Sequence, residues 1–490
     1  MILGATIVRN PQAAGGETYD LIVVGGGIYG AMLALESARR GLKPLLVERH
    51  DFGGATSWNS HRIVHGGLRY LQCLDLQRFS ESVRERRWFL RHFPELVEPL
   101  PCLMPLYGEG ARWPSILRAV LLANHLLSRH RNEGVRSDRV LPSGGVMTRH
   151  ETLSLFPGVR QERLRGGALW YDAVVTNSQR LLIETLRWAC ACGATCLNYV
   201  EATALWTNAD GVGGVEAVDR ESGAELRFHG SRVVNCAGPW CGEVASRFDH
   251  DVEGLFRPSL AFNVLFDREP VSEAALALSA PGAGSHTWFL YNRSGRIYAG
   301  TAHHPWDGDP EKPQASREQV DAMIDRINAA APGLDLHHHQ ILRVHAGLLP
   351  ASTARSSDLV TRPLIHDHGA EGGPSGLFSV SGVKYTTSRD VAEKTLRRLF
   401  PETLAEIDPE RTARPEPAAL PDVKHVRAAI DPDANVDVDE IRRQLAELVE
   451  DEAVVHADDL LLRRTGWGDD PDAAAELAGA LDTLLPQLTR

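Results

Sequence analysis

The chain has 490 residues, 43% of them hydrophobic and 24% charged, with 64 acidic against 52 basic side chains and a formal net charge of -12. That length calls for two or three hydrophobic cores, the composition excludes a disordered chain, and the acidic balance excludes a nucleic-acid surface, which needs clustered Lys and Arg. A few arginines converging in one cleft leave no trace in the net charge, so a small anionic substrate stays open.

MILGATIVRNPQAAGGETYD, expected to be a loose tail, lacks a charged segment followed by a long apolar core, so it reads as the start of a cytoplasmic chain and not as a signal peptide. Next, an apolar run from Leu21 to Val24, a glycine turn, a helical stretch and a second apolar run from Pro44 to Val47 form a strand, helix, strand unit. Gly25, Gly27 and Gly30 have the G-x-G-x-x-G spacing: tight turn, backbone approach to a pyrophosphate, and close packing of helix on strand. Glu48 ends the second strand, where an acid accepts hydrogen bonds from an unphosphorylated ribose.

TSWNSHRIVHGGLRYLQ, Thr56 to Gln72, gathers histidines, paired glycines, arginine and tyrosine, residues suited to a site and not to a core. RWPSILRAVLLANHLLSRHR, Arg112 to Arg131, is apolar in its middle and flanked by arginines, which fits either an interfacial helix at a membrane surface or burial against a neighbouring domain. No apolar run reaches the roughly 20 residues of a spanning helix. Cys190, Cys192 and Cys196 match no zinc spacing and, with an odd total of seven cysteines, read as thiols in a reducing compartment. His303, His304 and His337 to His339 read as exposed loop histidines, and no metal site is expected. RVVNCAGPW runs a strand into Ala237 and Gly238, and LFSVSGVKYTTSRDVAEKTL runs another through Ser381 and Gly382 into a helix. Glycine-marked strand ends so widely spread suit an extended FAD better than NAD. PETLAEIDPERTARPEPAALPDV reads as a linker, and the segments beyond it as amphipathic helices of a small cap.

DLIVVGGGIYG, HGGLRYL, NCAGPW, SGVKYTTSR and the late HADDLLLRRTGWG together resemble the FAD-dependent glycerol-3-phosphate dehydrogenases, within the D-amino-acid-oxidase-like flavoproteins, from about Tyr19 to about Gly468. The resemblance implies an α/β fold: a Rossmann-like FAD-binding domain, an inserted substrate domain with an antiparallel sheet over the flavin, and a helical C-terminal cap. The ranges expected are 19–85, 165–240 and 345–400 for the FAD-binding domain, 86–164 and 241–344 for the substrate domain, 401–425 for the linker and 426–490 for the cap. FAD would then be held by Gly25, Gly27, Ile28, Tyr29, Gly30, Glu48, Arg49, Thr56, Ser57, Arg62, His65, Gly66, Gly67, Ala202, Ala237, Gly238, Gly382, Lys384, Tyr385 and Thr386.

The implied reaction is oxidation of a secondary alcohol by hydride transfer to flavin N5, with sn-glycerol 3-phosphate giving dihydroxyacetone phosphate as the leading case. Arg69 and Arg362 would hold the anionic group, Tyr70 the hydroxyl end, Lys384 the reduced flavin, and His345 is a candidate proton acceptor unless it is a core histidine. Electrons would leave to a quinone or oxygen, and peripheral membrane contact is compatible with the Arg112 segment; no oligomeric state is readable. The chain departs from the family at the pocket. Leu349 in HAGLLPASTARSSD stands where the resemblance implies an arginine, Phe262 or Asn263 replaces a histidine, Ala302 and His303 replace a threonine and an aspartate, and Arg62 replaces a lysine. Arg355 is either a substitute from the same loop or a surface arginine. These departures keep open another substrate, such as a 2-hydroxy acid, an amine, or a polyol or sugar derivative. A flavoprotein that binds without turnover is the reading of another class.

Overall fold

The computed structural model describes residues 5–209, 211–248, 252–279, 286–409, 412–421, 426 and 438–488. Leu21–Val24 and Pro44–Val47 are strands with every side chain buried, as expected of apolar runs in a parallel sheet covered on both faces. Across this sheet the order is Leu364–Asp367, Leu377–Ser381, Val233–Asn235, Leu21–Val24, Pro44–Val47, Thr195–Leu197, and only the first pair is antiparallel. Side chains alternate between its faces. Leu21, Val23, Leu46, Val234 and Phe378 meet the helices Ile28–Ala38, Ser178–Ala191 and Ser388–Leu399. Ile22, Val24, Leu45, Val47 and Val233 instead meet a second sheet of Thr18–Tyr19, Glu225–Gly230, Gly211–Asp219 and Val200–Asn208.

A third, larger sheet is mostly antiparallel. Pro258–Phe266 lies between Ile341–Pro350 and Arg296–Pro305, and Val97–Leu106 pairs with Gly166–Val175 along its whole length. Helix Arg317–Ala330 packs into its core with Phe262, Phe266 and Leu290. Three strands join this sheet against the expected ranges: Ile63–Val64 and Gly166–Val175, which pair with each other, and Ile341–Pro350. The ranges 19–85, 165–240 and 345–400 therefore take in strands of all three sheets. An apolar strand reads alike in sequence whichever sheet it joins; its pairing partner decides.

The N-terminal tail is packed, not loose. Ala5, Ile7 and Ala14 are buried, Pro11–Gly15 is a short helix capped by the Asn10 side chain, and Ile7 N donates to Asp451 O at 2.7 Å. In the 401–425 linker, positions 410, 411 and 422–425 lie outside the described residues, but the rest is anchored: Trp188 Nε1 donates to Thr412 O at 3.0 Å, and Ala418 N to Glu184 at 3.1 Å. In the 426–490 cap, 427–437 and 489–490 lie outside the described residues. Helices Val438–Asp451 and Pro471–Leu488 flank a π-helical turn, Asp459–Arg464, around Ile441, Leu445, Leu460, Leu477 and Leu481.

The helix Pro114–Leu127 buries Leu117 and Leu121 only, leaving Ile116, Leu122, Leu126 and Leu127 exposed. Burial against a neighbour thus accounts for one face of it. Among the described residues no helix is long and apolar enough to cross a membrane.

Buried ion pairs tie the C-terminal segment to the loop after Pro44–Val47. Arg464 donates to both Asp51 oxygens at 2.6 and 2.8 Å. Arg62 donates to both oxygens of Asp469 at 2.8 and 2.9 Å, and Arg293 reaches the same carboxylate at 2.7 Å. Breaking one partner of a buried pair costs about 3–5 kcal/mol, whereas an apolar replacement of both costs far less. Arg464→Ala is expected to lower the thermal unfolding midpoint of the holoprotein more than the double change Asp51→Leu with Arg464→Met. Equal losses in a melting experiment would contradict this ranking.

Candidate active site

The strand Leu21–Val24 ends in Gly25, whose φ of 110° a side chain rarely adopts, and a Cβ there would stand 2.7 Å from Cys236 O. A Cβ on Gly30 would meet Gly25 O at 2.0 Å, so this glycine is what lets the helix Ile28–Ala38 approach the strand. The helix has no acidic residue in its first turn and no side-chain cap on Gly27, which leaves its N-terminus complementary to an anion. Ser57 Oγ accepts from Ile28 N at 3.0 Å, carrying the Thr56–Gln72 loop across this end. The Glu48 carboxylate accepts from Gly26 N at 2.7 Å and His50 N at 2.9 Å, which fixes it at the rim.

These groups border one cleft of about 1440 Å³, larger than the roughly 300–1,000 Å³ that a drug-sized ligand needs. Of the residues expected to hold FAD, Gly25, Gly27, Ile28, Tyr29, Glu48, Arg49, Thr56, Ser57, Arg62, His65, Gly67, Ala202, Ala237, Gly238, Gly382, Lys384, Tyr385 and Thr386 line it. The close-approach glycines, the helix end free of acidic side chains and the held carboxylate fit a dinucleotide cofactor. Gly30 and Gly66 do not line the cleft. Gly30 serves helix packing, and Gly66 makes room for Arg86, whose Nη1 would lie 2.0 Å from an added Cβ. Arg62 borders the cleft but spends its guanidinium on Asp469 and Thr176 O.

Asp172 organises the HGGLRYL loop. Its carboxylate accepts from Gly66 N at 2.7 Å, Arg86 at 2.9 Å and Trp170 Nε1 at 3.1 Å, and His65 Nδ1 lies 3.1 Å away. Although burial opposes its ionisation, His65, Arg86 and the Gly66 amide hold its pKa down to about 2. Sequence reading missed Asp172; the signal was a lone acid in the apolar strand segment ALWYDAVV. From this anchored loop, Gly67 with φ of 84° starts the turn Leu68–Gln72, which delivers Arg69 and Tyr70 to the cleft. Lys384 Nζ sits 4.1 Å from the Tyr70 ring centre, and the Arg78 guanidinium 4.7 Å from it. Tyr29 OH donates to Lys384 O at 2.9 Å, fixing the backbone that carries this ammonium.

The remaining expectations divide. Arg362 is exposed, acts electrostatically on Asp75, and does not line the cleft. His345 is buried with Nε2 3.2 Å from Arg293, wedged against Trp58 and Tyr298, and burial drives its pKa well down. Its strand neighbours Val344 and Ala346 and its sheet partner Asn263 line the cleft, while the His345 ring is enclosed by Trp58, Tyr298 and Arg293. Arg355 is 80% exposed and faces Asp307 at 3.7 Å. Leu349 and Asn263 do line the cleft. His303 is no exposed loop residue. It lies in Arg296–Pro305, lines the cleft, and burial brings its pKa to about 4. His61, also on the wall, is brought to about 3 by burial and stacks on Tyr298. Both are neutral at neutral pH.

A family profile described as "DAO: FAD dependent oxidoreductase" matches residues 20–388. The chain is similar to the glycerol-3-phosphate dehydrogenase of Synechocystis, 30% identical over 406 residues covering 80% of this chain and 72% of that one. It is also similar to glycerol-3-phosphate dehydrogenase 1 of Mycobacterium tuberculosis, 33% identical over 393 residues covering 79% and 73%. Among solved structures, the Bacillus halodurans glycerol-3-phosphate dehydrogenase complexed with FAD superposes with a TM-score of 0.71 at 22% identity, over 98% of this chain and 92% of that one. The FAD-bound L-α-glycerophosphate oxidase of Mycoplasma pneumoniae gives 0.56 at 15%, over 80% and 97%. At those identities the structural likeness concerns the fold.

Because the folded pKa of Asp172 is depressed, its stabilisation is full above the ordinary 3.8 and is lost as pH falls through about 2. Asp172→Asn is expected to lower the melting temperature at neutral pH, with the gap to the parent narrowing as pH is brought below about 4. A gap independent of pH in the same melting series would refute this role.

Proposed function

The chain belongs to the DAO family of FAD-dependent oxidoreductases, and from that membership we propose that it oxidises the secondary alcohol of sn-glycerol 3-phosphate to dihydroxyacetone phosphate. FAD, when bound, supplies the two-electron acceptor for this oxidation. The observation that carries the reading is the meeting of Arg69, Tyr70 and Lys384 on one cleft, with the ammonium seated on the phenol ring. Arg69 offers a planar fork of donors to the substrate's anionic end. Tyr70, its ring centre 4.1 Å from the Lys384 ammonium and 4.7 Å from the Arg78 guanidinium, supplies a hydroxyl for the substrate's alcohol end. Lys384 contributes positive charge where negative charge accumulates during the oxidation. Leu349 supports a second reading, in which the same site takes another substrate: a 2-hydroxy acid, an amine, or a polyol or sugar derivative.

The proposal extends to the electron acceptor. Trp113, Ile116, Leu122, Leu126 and Leu127 form an exposed apolar row, with Arg118 and Arg129 exposed beside it, a pattern suited to seating on an anionic lipid surface where a quinone is reached. The residues holding the cofactor are those named above along the cleft.

Anaerobic addition of glycerol 3-phosphate to the yellow holoprotein is expected to bleach the flavin band. No bleaching, with dithionite still reducing the flavin, would remove this substrate and direct the search to the second reading. For the lipid surface, co-sedimentation with vesicles containing phosphatidylglycerol is expected and should fall sharply for Leu122→Asp with Leu126→Asp. Equal sedimentation of parent and double variant would exclude this helix as the docking element.

A further inference from the structure

Leu349 leaves that part of the cleft wall without a cation, and the loop arginines Arg355 and Arg362 do not line it. A different guanidinium does. Arg112 ends the turn Gly110–Arg112, just before the helix Pro114–Leu127, and lines the same cleft as Arg69. Burial lowers its pKa, and the nearby Arg69 charge lowers it further, while Glu109 acts in the opposite direction. Its Nη2 donates to Thr287 Oγ1 at 3.4 Å, and that hydroxyl lies 3.3 Å from Ser279 Oγ. His286, beside Thr287, also feels the Arg69 charge. Among the described residues neither arginine forms a salt bridge with a carboxylate.

Arg69 is exposed and Arg112 half-buried, and two guanidiniums of like charge that no carboxylate clamps are stabilised when an anion joins them. The shape of the donor set selects that anion. A carboxylate has two oxygens and is satisfied by one guanidinium fork. A phosphate monoester presents three terminal oxygens, enough for both forks and a hydroxyl. The geometry points to Arg112, with Arg69 and Thr287 Oγ1, as a subsite that binds the phosphate of a phosphate-monoester alcohol, in a cleft that carries no cation at position 349. This inference rests on the proposed oxidation for its substrate but not for its anion site, and the two fail separately in the following test.

Holoprotein, Arg112→Ala and Arg112→Lys are compared under anaerobic conditions, following the flavin band during titration with glycerol 3-phosphate, with glycerol, and with inorganic phosphate as a spectral probe. Flavin content and melting temperature check that each variant is folded and loaded. Loss of a charge-assisted contact is expected to raise the half-bleaching concentration of glycerol 3-phosphate about tenfold to a hundredfold in Arg112→Ala. The limiting bleaching rate and the response to glycerol should not change. Arg112→Lys should recover part of the loss, since it keeps the charge and loses the fork. Inorganic phosphate should shift the parent's band and not that of Arg112→Ala. If glycerol 3-phosphate bleaches no form while phosphate still shifts the parent alone, the oxidation is wrong and the subsite stands. Equal responses of parent and Arg112→Ala to both phosphate compounds, including no response from either, would overturn the subsite.

Discussion

Everything at the cleft depends on a long loop, from Glu48 to Gly67, that has almost no secondary structure of its own and yet must present backbone and side chains to a cofactor. It is held by charge. Asp51 is clamped by Arg464 and Arg62 clamps Asp469, each in a bidentate geometry between buried or nearly buried groups. Such pairs contribute little net stability against apolar replacements, but each is costly to break and tolerant of only one geometry. Their function here is positional. Arg293 shares Asp469 with Arg62 and contacts His345, so the same cluster also fastens the large sheet to the loop.

A second fixed charge performs the same task further along. Asp172, on the strand Gly166–Val175, collects the Gly66 amide, Arg86, Trp170 and His65. It turns the double glycine into a rigid pivot, from which Arg69 and Tyr70 project. The cleft thus has a wall with mobile-looking composition and a supporting layer of buried ionic contacts, the arrangement that keeps reacting groups within narrow positional limits.

How much of this was legible in the sequence follows from the range of the interactions. Gly25, Gly27, Gly30 and Glu48 stand within one strand, helix, strand unit, and their steric demands are local, so spacing alone located them. HGGLRYL and GVKYTTSR were legible as motifs, and the structure brings Tyr70 and Lys384 into contact. Residues whose roles depend on a distant partner were not legible. His345 is enclosed by Trp58, Tyr298 and Arg293, which come from other parts of the chain, and no local pattern reports that. Arg362, close to the cleft motifs in sequence, ends on an exposed loop. Arg112 looked like the flank of an apolar helix, and only the folded sheet puts it beside Thr287. The N-terminal segment looked loose because its partner, the segment around Glu452, lies at the far end of the chain.

That distance has a consequence for the order in which the molecule assembles. Asp51 and Arg464 are separated by 413 positions, and Arg62 and Asp469 by 407. The Asp172 anchor reaches the loop from a strand nearer in sequence, whereas these two clamps close over almost the whole chain. Loops closed over such separations form late. The segment around Arg464 and Asp469 is thus a clasp: when it is undocked, Asp51 and Arg62 both lose their bidentate partners at once, and the loop that borders the cleft is released at two points.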